Sequence, residues 1–283
     1  MPQPMTSKIR ITIVADNNAQ IGLDPEHGFS AWIEAFDSLI LLDTGQGLSL
    51  AGNAFKLGIA LDKTRHLVLS HGHYDHGGCI PGVMRLADQA IIHLHPGAVI
   101  PRYSLNNTEK PRSVGLPGKV LRFLSGLPEP RIHWVTGPQR IMQSVGLTGR
   151  IPRKTTFEDT GGRFFTDAQG TSKDLLPDDQ ALWIDTPKGL VVFVGCAHAG
   201  IINTLNYIRE ITDKTRIRAV IGGFHLINAS QSRLDETMNH LKEFSPDIIA
   251  PCHCTGQEAL ALFKDNFKSA FLPAGAGTKI ALN

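Results

Sequence analysis

The feature that most constrains this chain is an aliphatic run, Leu67-Val68-Leu69, that stops in Ser70-His71-Gly72-His73-Tyr74-Asp75-His76-Gly77-Gly78. A short β-branched or aliphatic segment closed by turn-forming residues reads as a buried strand. Here the residues that close it are three imidazoles and a carboxylate, donors that suit divalent zinc, manganese or iron. Four such groups within six residues cannot all reach one tetrahedral ion without severe strain of the chain, so the spacing fits two adjacent ions. His71 and His73, two apart at a strand end, address one; Asp75 and His76, on the following turn, address the other. If the histidines only capped a helix or satisfied local backbone, several competing polar groups would be crowded into one turn.

Other apolar segments end in the same way. Residues 191–194 run into Cys196 and His198, residues 219–221 into His225, and residues 248–249 into His253. Three further imidazoles are therefore expected at one edge of a sheet. Residues 9–14, 31–35 and 39–42 have strand character and predict an N-terminal meander, broken by Asp43-Thr44-Gly45. Amphipathic helices follow the later strands, one bearing Ile201, Leu205 and Ile208, another Leu234, Met238, Leu241 and Phe244, and a third strand–helix unit spans residues 248–267. Sheets covered by helices are the economical solution, so the fold class is α/β or α+β. No repeat or linker divides residues 1–283, which predicts a single domain. Two stretches, near residues 96–119 and 146–179, show no helical or strand period and are expected to be long ordered loops over the site.

Composition narrows the class of partner. Hydrophobic residues make up 42% of the 283 and charged ones 19%, which is a globular balance, and the net charge of +2 gives no field for nucleic acid or an anionic membrane. Four cysteines are too few for a disulfide scaffold. Residues 9–14 are too short for a signal-peptide core, and no apolar run reaches the length of a membrane span, so a cytoplasmic location is expected.

The metal-type motif, with Asp43 in Leu41-Leu42-Asp43-Thr44-Gly45 upstream, resembles the metallo-β-lactamase superfamily. Glu26-His27-Gly28-Phe29-Ser30, Gly195-Cys196-Ala197-His198-Ala199-Gly200-Ile201, Gly222-Gly223-Phe224-His225-Leu226 and Pro251-Cys252-His253-Cys254-Thr255-Gly256 resemble a narrower group within it, the archaeal dihydropterin ribofuranosylaminobenzene-phosphate synthases. The resemblance implies a four-layer αβ/βα sandwich with a metal site at the strand ends. It also implies that a third histidine completes the first metal site, that a bridging carboxylate follows a strand of the 190–194 kind, and that a last histidine completes the second site. His253 matches that last histidine, Cys196 stands where the carboxylate is expected, and His198 substitutes for the third histidine. Asp43 is expected to accept an imidazole N–H and so fix its tautomer. His225 is a ligand or a substrate contact, and Cys196 a thiolate ligand or an apolar filler.

Cys252 and Cys254, on one side of an extended strand, are expected to pack. His93 and His95 are read as pocket lining or surface, and His27, His66, His133 and His240 carry no assignment. Arg102, Arg112, Arg150, Arg153 and Lys154 in the two irregular stretches are candidates to hold a phosphate, with ordinary surface charge as the alternative. The expected cofactor is a pair of divalent metal ions, zinc first, with manganese, iron or magnesium as alternatives. The expected activity is that of a metal-dependent enzyme on a phosphorylated, anionic or pterin-like small molecule, with hydrolysis as the default and condensation implied by the narrower resemblance. The alternatives are a nucleic-acid-processing phosphodiesterase and a metal-binding protein without catalysis. A di-iron redox protein of the same fold would favour Glu where His73 stands.

Overall fold

The computed structural model describes residues 8–105 and 110–283. Two sheets lie face to face. The first runs, in spatial order, Lys279–Leu282, Ile9–Ala15, Ser30–Ala35, Ser38–Leu42, His66–Val68, Ile91–Leu94 and Ile132–Trp134. Its opening strands pair antiparallel, as the meander predicts, and from Ser38–Leu42 onward the pairs are parallel. The second runs Ile248–Cys252, Ile217–Gly223, Gly189–Val194, Ala181–Thr186, Val145–Leu147 and Gln139–Met142, parallel among the first three and antiparallel thereafter.

Side-chain alternation builds the layers. In Gly189–Val194, Val191 and Phe193 point into the space between the sheets and meet Ile11, Ile33 and Ile40 from the other sheet. Leu190, Val192 and Val194 point outward, under Leu205 and Ile208 of the helix Ile201–Thr212 and Leu234 and Leu241 of the helix Gln231–Phe244. Trp32, Leu41, Leu67 and Ile92 likewise meet Leu50, Val83 and Val120 of three helices on the far side of the first sheet. A strand buried on both faces reads as a continuous apolar run rather than an alternating one, which is why residues 190–194 are so uniformly aliphatic. Each buried Val, Leu, Ile or Phe contributes about 1.5–3 kcal/mol, so these three apolar layers dominate the stability. The result is the four-layer α/β sandwich that the family resemblance implies.

The strands carrying the motifs end at one edge, where the chain turns sharply. Asp43, Ala197, His225 and His253 all take positive φ, at 58°, 52°, 45° and 52°. Left-handed backbone at non-glycine residues costs about 1–3 kcal/mol each and persists only where surrounding contacts enforce it. These turns bring the motif residues to a common centre.

The two stretches without periodicity are not independent loops. Tyr103–Ser104 from the first pairs with Arg112–Ser113 on one side and with Phe164–Phe165 from the second on the other, forming a small three-stranded sheet. Strands of two residues are too short to leave a period in sequence. Val114, Phe164 and Leu176 give this sheet its own small apolar cluster, with Tyr74 packed against it. Among the described residues, no helix is long and apolar enough to cross a membrane.

Candidate metal centre

The loop after His66–Val68 is organised around Asp43, which is fully buried. Its Oδ1 accepts the Ser70 backbone N–H at 2.7 Å, and its Oδ2 accepts the Ser70 hydroxyl and the His76 Nδ1–H, each at 2.7 Å. Ser70 has thus spent its proton on Asp43, so its Oγ accepts from His71 Nδ1 at 2.9 Å. This arrangement needs Gly195 beside it, because a Cβ there would stand 2.0 Å from Ser70 Oγ and 2.8 Å from Asp43 Oδ2.

The same logic fixes other imidazoles. His198 Nδ1 donates to the Thr160 carbonyl at 2.8 Å and His253 Nδ1 donates to Asn17 Oδ1 at 2.8 Å, which leaves each Nε2 as a lone pair. The Nε2 atoms of His73, His198 and His253 are buried without a hydrogen-bond partner. Unpartnered buried polar atoms are uncommon and call for an explanation, of which an ion is one. A second N–H anchored to carbonyl or carboxylate is the usual arrangement behind a metal-ligating histidine.

Two groupings emerge. His71, His73 and His198 bring ligand atoms within 4.8 Å of one another, with His71 Nε2 and His73 Nδ1 2.9 Å apart. Beside them, Asp75 Oδ2 lies 3.5 Å from His253 Nε2, 3.8 Å from His76 Nε2 and 3.2 Å from His27 Nε2. Burial holds His71, His73 and His198 well below the usual imidazole range and takes His253 down to about 4, so all four are neutral, the form that binds metal. Burial works the same way on His76, but the carboxylates of Asp43 and Asp75 outweigh it and raise that imidazole to about 9. Two buried carboxylates thus favour positive charge at this spot, which either a proton on His76 or a divalent ion bound to its Nε2 would supply. The donor set of neutral imidazoles, a carboxylate and unpartnered nitrogens fits divalent metal ions.

A cavity of about 470 Å³ opens onto this centre. Its polar floor includes His73, Asp75, His253 and Cys196, and Tyr74, Val114, Phe164 and Ile227 supply apolar wall. The Phe164 ring stands 5.1 Å from that of His73 and 5.2 Å from that of His198.

Several sequence expectations need correction. Arg102 holds no phosphate: it is fully buried, its Nε donating to Asp174 at 2.8 Å and its other nitrogens to Asp178 and the Gly97 carbonyl. Arg153 is turned inward, donating to the carbonyls of Leu175 and His198 at 2.8 and 2.6 Å. Lys154 pairs with Glu210 on the surface, and Arg150 is exposed outside the cavity lining. Of the five cations only Arg112 lines the cavity.

Cys252 packs into the core between the sheets, but Cys254 does not join it. The 3-10 turn His253–Thr255 rotates Cys254 into the cavity, with its Sγ 3.3 Å from Cys196 Sγ. Strand alternation misplaces Cys254 because the strand ends at Cys252, two residues earlier. Cys196 and His198 are not competitors for one place either, since Cys196 Sγ faces His76 Nε2 at 3.2 Å while His198 faces His71 and His73. His93 sits against His66 and His133, and His95 Nδ1 accepts from the Gly97 amide, so neither lines the cavity. Sequence reasoning left His27 unassigned although Glu26-His27-Gly28 belongs to a motif; Asn17 and Thr160 carry no comparable signal.

Comparison with known proteins agrees with this fold. Residues 23–253 match the family described as Metallo-beta-lactamase superfamily. The 7,8-dihydropterin-6-methyl-4-(beta-D-ribofuranosyl)-aminobenzene-5'-phosphate synthase of Methanocaldococcus jannaschii is 31% identical over 264 residues, covering 89% of this chain and 88% of its own. The crystal structure of a metal-dependent hydrolase of the beta-lactamase superfamily superposes with a TM-score of 0.80 at 33% identity, covering 96% of this chain and 98% of the other. A diphosphatase of the PhnP family shares the fold at a TM-score of 0.53 and 12% identity, covering 97% of each chain. With the family matched over most of its length, the chain belongs to the metallo-beta-lactamase superfamily.

Proposed function

We propose that this protein is a metal-dependent enzyme acting on a phosphorylated or otherwise anionic small molecule, working as a single domain. The observation that carries the reading is that His71, His73 and His198 bring ligand atoms within 4.8 Å of one another beside the Asp75–His253 pair, with His73, Asp75 and His253 on the cavity floor. His71, His73 and His198 would hold one divalent ion and Asp75, His76 and His253 a second, with zinc suited best to this set and manganese, iron or magnesium as alternatives. Bound there, such ions would supply Lewis acidity toward an anionic substrate.

The chain's own residues do the rest. Asp75 orients the attacking group. Asp43 and Thr160 hold the tautomers of His76 and His198. Phe164 and Tyr74 screen the floor from water, and residues 96–105, 110–119 and 146–179 act together as its cover. Arg112 meets the anionic end of the substrate. The near-neutral net charge favours a small molecule over nucleic acid, and four free thiols suit a reducing, cytoplasmic compartment.

Hydrolysis is the leading reaction. Condensation of a pterin-like substrate is the second reading, favoured by the synthase at 31% identity and by the aromatic wall at Tyr74 and Phe164, which suits a flat ring.

Protein purified without chelator is expected to carry at least two ions per chain by elemental analysis, and His76→Ala to lose one. One ion or none in fully loaded protein, unaffected by His76→Ala, sinks the dinuclear reading. A panel of phosphomonoesters, phosphodiesters and pterin pyrophosphates then decides between hydrolysis and condensation. Arg112→Ala is expected to raise KM about tenfold with kcat little changed, since one hydrogen bond to a charged group is worth about 1.5–3 kcal/mol. An unchanged KM removes Arg112 from substrate binding.

A further inference from the structure

Adjoining the groupings above, and sharing with them Cys196, whose Sγ also lies within 4.8 Å of ligand atoms of His71 and His76, a further cluster lines the same cavity: Cys196, His225 and Cys254, whose ligand atoms lie within 4.8 Å of one another. The two sulfurs are 3.3 Å apart and both thiols are free. A disulfide needs about 2.05 Å. Two Zn–S bonds of about 2.3 Å at a tetrahedral angle put their sulfurs about 3.8 Å apart, which a small opening of these side chains reaches. His225 hydrogen-bonds Cys254, while its Nδ1 is buried without a partner.

The backbone is shaped to make this cluster. His225 and His253 take φ of 45° and 52°, the turns that swing His225 and Cys254 off their strands toward Cys196. Gly223 is required beside them, because a Cβ there would stand 2.7 Å from Cys254 Sγ. A cysteine serving as apolar filler needs no such turn, and its neighbour Cys252 shows the alternative by continuing along the strand into the core.

We propose that Cys196, Cys254 and His225 form a third cation position, a soft thiolate–imidazole site for zinc with its fourth position open to the cavity. Two thiolates and one imidazole with an open place is a donor set that zinc accepts in catalytic sites. Thiolates also prefer zinc to magnesium or manganese, so this position would select the metal where the imidazole–carboxylate groupings do not. The proposal rests on reading the cavity as a metal centre, and its test separates the two.

Cobalt(II) titrated into chelator-stripped protein reports sulfur ligation through a thiolate-to-cobalt charge-transfer band. Wild type is expected to bind three ions per chain with the band present. Cys254→Ser is expected to bind two without the full band, and Cys252→Ser to behave as wild type. Two ions with no band overturn the thiolate site and leave the imidazole–carboxylate reading standing, whereas one ion with the band does the reverse. A band that survives Cys254→Ser but not Cys196→Ser assigns the sulfur to the His76 side and overturns the proposal. X-ray absorption of the wild-type zinc form needs no variant: sulfur scatterers at about 2.3 Å support the site, and a shell of nitrogen and oxygen alone overturns it.

Discussion

Asp75→Asn is expected to lower turnover by about 10²-fold or more while the protein stays folded, the loss expected when the group that orients the attacking atom is misplaced. The substitution keeps the side chain's shape and removes its charge. Burial pushes the Asp75 carboxyl upward, but the charge on His76, the hydrogen bond from His27 and the field of His253 outweigh it and hold the group well below the usual carboxylate range. It is therefore a carboxylate throughout the physiological range, aimed at three imidazole nitrogens within 3.8 Å.

The fold does not depend on that charge. The backbone carbonyl of Asp75 accepts from Phe29, a bond that asparagine preserves, and none of the three apolar layers includes the Asp75 side chain. His76 retains Asp43. Steady-state kinetics on whichever phosphoester the panel identifies, paired with a thermal melt, checks both halves. Turnover near that of wild type would remove Asp75 from the mechanism, and a collapsed melt would make it a structural residue.

What made Asp75 readable in sequence is that it shares one loop with three imidazoles, although its partners His27 and His253 are distant in the chain. His71, His73, Asp75 and His76 occupy one loop, and their spacing alone implies two addresses for metal. The parallel strands were readable for a related reason, because burial on both faces leaves an unbroken apolar run such as Leu190 to Val194, closed by Gly195. Legibility failed where one residue of backbone decides the direction of a side chain. Cys254 follows His253, whose positive φ ends the strand pattern, and nothing in Pro251-Cys252-His253-Cys254 announces that turn.

The other failures involve partners far apart in the chain. His253 and Asn17 are 236 residues apart, and His198 and Thr160 meet only because the 146–179 stretch folds over the site. A hydrogen-bond acceptor such as Thr160 contributes its backbone carbonyl, which every residue type possesses, so no sequence signal could have marked it.

Arg102 illustrates the same limit and carries the second large effect. In sequence it is one of several cations in an irregular stretch; in the fold it is fully buried between Asp174 and Asp178, which belong to the other irregular stretch. Asp178 Oδ2 accepts both Arg102 Nη1 and the backbone N–H of Gly72 at 2.7 Å. Gly72 is the residue between His71 and His73, so the buried pair ties both irregular stretches to the loop that aims two candidate ligands.

Arg102→Met should therefore cost about 3–5 kcal/mol, because it leaves two buried carboxylates without their cation. Arg102→Lys is expected to recover only part of this, since a single ammonium cannot reproduce the fork that meets Asp174, Asp178 and the Gly97 carbonyl together. Urea unfolding of the three proteins measures the cost. A loss below about 1 kcal/mol would place Arg102 among pairs that contribute little. In the folded fraction of Arg102→Met, metal affinity is expected to fall about 10- to 100-fold, as it does when an outer partner of a metal ligand is removed. Destabilisation with unchanged metal affinity would mean that the Arg102–Asp178 pair braces the two stretches but does not position His71 and His73.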